Sequence, residues 1–427
     1  MATEHAAQER SLTLEEIKRE NFTLLIPTML PTHFKIMEGI LRSYGYNAVL
    51  LENSDESVVE YGLKYVHNDT CYPALLVIGQ LLSAVESGKY DKHRLALLIT
   101  QTGGGCRASN YIRLLRKALK KAGYGYIPVL SLNVSGLEKE SSLKLTPDLG
   151  IRVLFAALCG DLLMLLRNQV KPYELNPGDT DCLEQAWVET LAKALSRGSR
   201  LRYKGLKAYY RQIVRDFAAI PVQGQRKVRV GIVGEIFVKF SPLGNNELEK
   251  FLAQENAEVV MPGLLDFCMY CAHSSLTDAR LFGMRRMKGL VFGLALKLLE
   301  KMQRDVIRTI KGNSRFDPPT EFAHVQKLAE TVISPGAKMG EGWLLTGEMI
   351  ELIEQGVNNI VCVQPFGCLP NHIVGKGMMK PLKERYPEAN IVAVDYDAGA
   401  TRINQENRIK LMLSNASGAE TREPVNI

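Results

Sequence analysis

The sequence has no predominantly apolar run that approaches the roughly 18 residues a membrane span needs. Its longest greasy stretch, residues 153–166, is broken by Cys159-Gly160-Asp161 and reads as a buried helix. The opening MATEHAAQERSLTLEEIKRE has no basic segment leading into an apolar one, so it is not expected to act as a signal peptide. A cytoplasmic protein that does not enter membranes is the expectation. Also absent is G-x-x-x-x-G-K-[ST], and no three glycines are spaced as G-x-G-x-x-G, which argues against nucleotide turnover. Charge of one sign is scarce too. Lys and Arg number 53 against 46 Asp and Glu, a net +7 that permits an anionic substrate or acidic partner without demanding either. There is no repeat of fixed short period and no C-x-x-C…C-x-x-C array.

What is present is a globular composition, 46% hydrophobic and 23% charged, over 427 residues, enough for two or three domains. Apolar runs at 22–27, 47–51, 94–100 and 126–132 alternate with helical spacing at 33–44 and 108–122. That alternation predicts an α/β domain with a largely parallel sheet over residues 21–147, after a polar segment 1–20. Residues 148–226 read as a helical connector. Within it, 197–215 carries seven basic residues with Tyr203, Tyr209 and Tyr210; a solvated helix face is favoured over a nucleic-acid patch, since nothing else supports nucleic acid. A second α/β domain is expected over 227–414, with strands at 227–234, 257–261, 359–363 and 390–395 and a helical insertion at 281–333. A helix at 401–413 closes it, and the tail 415–427 is expected to be disordered.

Eight cysteines in such a chain are not a disulfide framework if the protein stays in a reducing compartment. They are buried small hydrophobes, metal ligands or a redox pair. Cys159, Cys182 and Cys362 fit the first description. Cys268-x-x-Cys271 lacks the strand that leads into a thioredoxin-type pair. Three others lie in loops marked by glycine or proline ahead of a helix. Cys71 is in Asn68-Asp-Thr-Cys-Tyr-Pro73, where Asp69 or Thr70 can cap the following helix and its N-terminus favours a thiolate at Cys71. Cys106 is in Gln101-Thr-Gly-Gly-Gly-Cys-Arg-Ala-Ser-Asn-Tyr111, whose glycines let the backbone pass close to an inorganic or phosphate group. Cys368 is in Cys362-Val-Gln-Pro-Phe-Gly-Cys-Leu-Pro-Asn-His372, just past a strand. Loops at the carboxyl ends of parallel strands converge on one crevice, so these thiols can meet there, with Cys271 as a fourth. Glu235, Ser109, Asn110 and His372 flank the cysteine loops and are candidates to orient substrate or move protons; equally, Glu235 can simply cap a helix and His372 can simply bond backbone.

These segments carry a family resemblance, together with Val233-Gly-Glu-Ile-Phe-Val-Lys-Phe240, Gly340-Glu-Gly-Trp-Leu-Leu-Thr-Gly-Glu348 and Asp395-Tyr-Asp-Ala-Gly-Ala400. From about residue 21 to 413 the chain resembles the C-terminal half of acyl-CoA dehydratase activase-related proteins, kin to 2-hydroxyacyl-CoA dehydratase subunits and double-cubane cluster proteins. The resemblance implies two Rossmann-like (flavodoxin-like) parallel-sheet domains with helical connecting and inserted segments. It implies an oxygen-sensitive iron–sulfur cluster in the cleft between them, held by Cys71, Cys106, Cys271 and Cys368. The cluster is either one [4Fe–4S] or a double-cubane [8Fe–9S]; the latter needs further thiolates from Cys268 or Cys362. In relatives an ATP-hydrolysing activase injects a low-potential electron, and the cluster reduces an acyl-CoA or a small unsaturated molecule. No activase domain is seen in this chain, so a separate partner would supply it, and the assembly is expected to be a homodimer or heterodimer. Two other readings stand beside this one: a non-catalytic cluster-bearing electron carrier, and a metal-free CoA-binding protein using the basic segments 113–121 and 197–215.

Overall fold

The computed structural model describes residues 12–67, 69–101, 106–133, 146–283 and 286–416. Among them are two four-stranded sheets, every pairing parallel. The first contains β1 (Thr23–Ile26), β2 (Asn47–Leu50), β3 (Leu95–Gln101) and β4 (Val129–Asn133) in the order β2-β1-β3-β4. The second contains β5 (Val228–Gly234), β6 (Ala257–Val260), β7 (Asn359–Pro365) and β8 (Asn390–Tyr396) in the order β6-β5-β7-β8. These are the strands read from sequence. β7 is buried at all its positions, as expected of a central parallel strand covered by helices on both faces. The two sheets have the same winding. In each, the chain reverses direction across the sheet between its first and third strands, at β1/β3 and β5/β7, the place where open α/β sheets bind ligands.

Three helices, Pro147–Val170, Asp179–Ala194 and Tyr203–Ala218, connect the sheets. Pro147–Val170 is long and apolar enough to cross a membrane by length and composition, but most of that stretch is buried within this protein. The tyrosines of the basic segment are used in packing: Tyr210 is fully buried, Tyr209 stacks edge-on against Trp187, and Tyr203 donates to Asp305.

Between β6 and β7 the helices Leu264–Phe282, Arg286–Asn313, Phe322–Glu330 and Trp343–Glu354 intervene. The insertion therefore begins at Leu264, well before the expected 281. The reason is a cap that local sequence does not display. The Asp161 carboxylate, on the connector helix, accepts from the backbone N–H groups of both Leu264 and Leu265 at 2.8 Å. The same carboxylate contacts His33 Nε2 at 2.8 Å, tying the first domain to the insertion. Within the segment expected to be merely polar, Leu14–Arg19 is a short helix closed by a Thr13/Glu16 capping box, with Ile17 fully buried. The helix Arg402–Ala416 runs into the start of the expected tail, and 417–427 lie outside the described residues.

Candidate functional site

The loops that leave the strands on either side of both reversal points, together with the turn before the Tyr72–Glu86 helix, carry the chemistry. After β3 come residues 102–105, outside the described residues, and then Cys106, which opens the short turn Arg107–Asn110. After β5 comes Glu235, and after β7 comes Phe366-Gly367-Cys368. Cys71 is itself the N-cap of the Tyr72–Glu86 helix, with Pro73 in the first turn and no side-chain cap. Asp69 and Thr70 do not perform the capping expected of them; the Thr70 hydroxyl bonds the His67 carbonyl instead.

The two domains meet at these loops. Tyr72 N–H donates to the Phe366 carbonyl at 3.1 Å. Gly367, at φ +74°, lies so close to the other domain that an added β-carbon would stand 3.3 Å from Cys71 Cα. Cys71 Sγ is 3.0 Å from the buried Tyr111 hydroxyl. Asn371 Nδ2 reaches Cys368 Sγ at 3.5 Å and Glu341 Oε2 at 3.4 Å. Glu341 Oε1 in turn accepts from Ile236 N–H at 3.0 Å, while the neighbouring Glu235 carboxylate accepts from Val238 N–H at 2.9 Å. Two carboxyls thus converge on the start of the five-residue helix Ile236–Phe240.

Each of the four thiols has at least one of those carboxyls among the charges that raise it. Burial is the main cause that pushes the Cys71 thiol up, with the Tyr111 hydrogen bond pulling the other way and Glu235 adding to the rise. Cys106 is pushed up to about 12 by burial, then by Glu341, Glu235 and Cys71. Cys368 is raised by burial and by Glu341 and Glu235. Cys271 is pushed to about 12 by loss of hydration and by Glu341, although its side chain is solvent-accessible, the combination expected on the wall of a cleft. The thiolate expected at Cys71 from its helix N-terminus is therefore not favoured here: burial outweighs the dipole. Glu235 itself is raised to about 8 by loss of hydration and the neighbouring Glu341 charge, and Glu341 is raised chiefly by burial.

Cys71, Cys106 and Cys368 thus share Glu235 as a neighbouring charge, whereas Cys271 shares only Glu341 with Cys106 and Cys368. Cys159 and Cys362 are fully buried, as read from sequence. Cys182 is not: it is exposed on the Asp179–Ala194 helix, whose start is polar. Cys268 lies on the same helix as Cys271 but is raised by Cys271, Asp161 and Asp266 once burial is counted, while Cys362 faces Gln364.

Among the candidates to act on substrate, Glu235 lines the site and also caps a helix. The Ser109 hydroxyl donates to the Cys106 carbonyl at 2.7 Å and braces the cysteine turn, and Asn110 is exposed. His372 is exposed; its neighbour Asn371 points inward in its place, because the backbone from Asn371 to Gly375 is a wide π-helical turn. Glu341, Asn371, Tyr111 and Tyr270 were not singled out from sequence. The signals were there for two of them, in Gly340-Glu-Gly342 and Pro370-Asn371. Gly342 has φ +49°, and a β-carbon there would stand 2.4 Å from the Tyr270 hydroxyl and 2.3 Å from the Ala337 carbonyl.

Among the described residues no three His, Cys, Asp or Glu side chains stand close enough together to hold a single metal ion. A polynuclear cluster makes a different demand, because each iron takes its own thiolate and the ligands stand apart. The four cysteines lie on separate segments, three in loops or turns ahead of helices and Cys271 within the Leu264–Phe282 helix. Near Cys368 the Asn371 Oδ1 and Gln364 Oε1 atoms are buried with no hydrogen-bond partner among the described residues. Phe366, Leu369, Ile373 and Met339 are each half or more exposed along the same loops, giving the site an apolar rim. The fold is that of a two-domain α/β protein whose domains meet through loops beside the reversal points of both sheets. No protein-family model matches the chain, and no curated protein matches it.

Proposed function

We propose that this chain is an iron–sulfur protein of the cytoplasm that performs low-potential one-electron reductive chemistry, driven by a separate ATP-dependent activase. This is the reading its resemblance to 2-hydroxyacyl-CoA dehydratase and double-cubane components suggests. The observation that supports it is the meeting of the Cys71 and Cys368 loops of the two domains, where Tyr72 N–H donates to the Phe366 carbonyl at 3.1 Å and Gly367 packs against Cys71. Cys106 shares the Glu235 neighbour of both, and Cys271 is joined to them by the resemblance and by Glu341 alone. When bound there, the cluster supplies single-electron reduction. The protein's own groups do the rest. The four thiols, neutral before loading, each give up a proton as they take iron. Tyr111 Oη at Cys71 Sγ and Asn371 Nδ2 at Cys368 Sγ are hydrogen-bonding groups placed to tune the sulfurs. Glu235, its carboxyl raised by burial and by the neighbouring Glu341, is the group we assign as proton donor to a reduced substrate. The apolar rim excludes water and offers a landing surface for the activase or for the acyl chain of a CoA ester or a small unsaturated substrate.

The test is iron and acid-labile sulfide in protein purified without oxygen, beside Cys71→Ala, Cys106→Ala, Cys271→Ala and Cys368→Ala. About four irons per chain indicate one cubane and about eight a double one, with loss of iron in each variant. Colourless, iron-free protein even after anaerobic reconstitution would sink the proposal.

A further inference from the structure

The helices Leu264–Phe282 and Arg286–Asn313 form an antiparallel hairpin. On its second helix Met287, Leu290, Val291, Leu294 and Leu298 are each half or more exposed, and so is Phe282 at the turn. Scattered exposed apolar residues are ordinary, but a continuous stripe is not. The 287–290–291–294–298 spacing is the three-and-four repeat of a helix seam.

It is not the seam that holds the hairpin together. At about 100° per residue that seam lies on the opposite side, where a β-carbon on Gly289 would stand 2.6 Å from Ala279 Cβ and one on Gly293 3.6 Å from Leu276 Cδ1. Beyond Leu298 the helix becomes conventionally amphipathic, with Met302, Val306 and Ile310 buried and Lys301 and Arg308 exposed. The unpartnered apolar face is therefore confined to the tip of the hairpin.

We propose that this face is a self-association surface, on which a second copy of the chain seats its own hairpin about a two-fold axis to complete a four-helix bundle. A hairpin with one internal seam and one apolar outer face is half of such a bundle, and a two-fold pairing matches the stripe to itself. The size fits. The six exposed side chains, at about 180 Å² each when free, present on the order of 700 Å² of apolar surface against the ~800 Å² per partner of a standard interface. The composition fits as well: of the exposed positions from Met287 to Leu298 only Lys297 is charged, the charge depletion typical of an interface core.

The inference is independent of whether the cysteines hold iron. It is tested by the mass of the full chain in solution, measured by sedimentation velocity over a dilution series, for the wild type and Leu290→Glu/Leu294→Glu. The expected result is a wild-type dimer whose dissociation constant rises at least about 100-fold in the double variant, with circular dichroism and melting unchanged. Leu290→Ala/Leu294→Ala gives a second reading, about 10-fold weaker, should the glutamates disturb folding. A wild type that is monomeric at every concentration overturns the proposal. So does a dimer indifferent to both pairs of substitutions, or a monomer that co-floats through these leucines with phosphatidylserine-containing vesicles.

Discussion

Glu351→Gln should make the protein more stable at pH 8, with less than about 1 kcal/mol of that gain present at pH 5. Glu351 is on the Trp343–Glu354 helix, buried, with Oε1 accepting from Gln355 at 3.2 Å and Thr320 as a second hydrogen-bonding neighbour. Burial raises its carboxyl from 4.5 to about 7, the Thr320 hydrogen bond opposing this and the neighbouring Glu348 adding to it. In the unfolded chain the group ionises near 4.5. Between there and about 7 the folded chain holds a proton that the unfolded chain has released, so folding stability falls as pH rises through that window and is level above it. At ~1.4 kcal/mol per pH unit, the loss attributable to this residue is about 3 kcal/mol at most. The carboxamide keeps the shape and removes the titration. Asp266 and Glu348, raised by the same surroundings, stay in both proteins, and Glu351's charge also raises Asp266, so the difference between the proteins reports Glu351 together with its coupling to these carboxyls. Urea unfolding followed by circular dichroism at pH 5, 6, 7 and 8 is the assay. Parallel stability profiles for the two proteins would refute the reasoning, since they would mean that Glu351 is hydrated in the folded state.

Two further substitutions read neighbouring parts of the same frame. Lys239→Met removes the buried cation whose Nζ lies 2.9 and 3.1 Å from the two oxygens of the equally buried Glu348; the stranded carboxylate should cost about 3–5 kcal/mol in chemical denaturation at pH 8, less at pH 5, where Glu348 can take a proton. Gly342→Ala places a methyl against the Ala337 carbonyl and the Tyr270 hydroxyl at a left-handed φ of +49°. It should lower stability by about 3 kcal/mol or more and lower iron uptake in reconstitution, while Gly356→Ala, also at positive φ but with open space around it, should show only the smaller backbone cost.

The strands were legible because each is a short apolar run bounded by turn residues, and β7, enclosed on both faces, shows no alternation to confuse the reading. The helix Leu264–Phe282 was legible only in part. Its N-terminus is capped from 103 residues upstream by Asp161, and a carboxylate that far away leaves no local signature. Cys182 shows the opposite limit. A cysteine's prior is burial, but the polar first turn that contains it, with Asp179 and Asp181, faces solvent and takes the thiol with it. His372 outranked Asn371 on chemistry alone, and only the wide turn after Cys368 decides which of two consecutive side chains points inward.

The cysteines themselves resist local reading for a topological reason. Because both sheets are wound in the same order, each reversal point delivers two strand ends to one edge of its domain: β1 and β3 in one, β5 and β7 in the other. The four cysteines arrive from the loops after β3 and β7, from the turn before the Tyr72–Glu86 helix and from the helix after β6. The separation of Cys71, Cys106, Cys271 and Cys368 along the chain is then set by the lengths of whole crossover connections rather than by a compact motif. What sequence does retain is the local mark of each arrival, a glycine or proline beside the cysteine where the backbone must turn or approach closely. Cys271 lacks that mark because it arrives on a helix, one turn after Cys268, and this is why it was the least legible of the four.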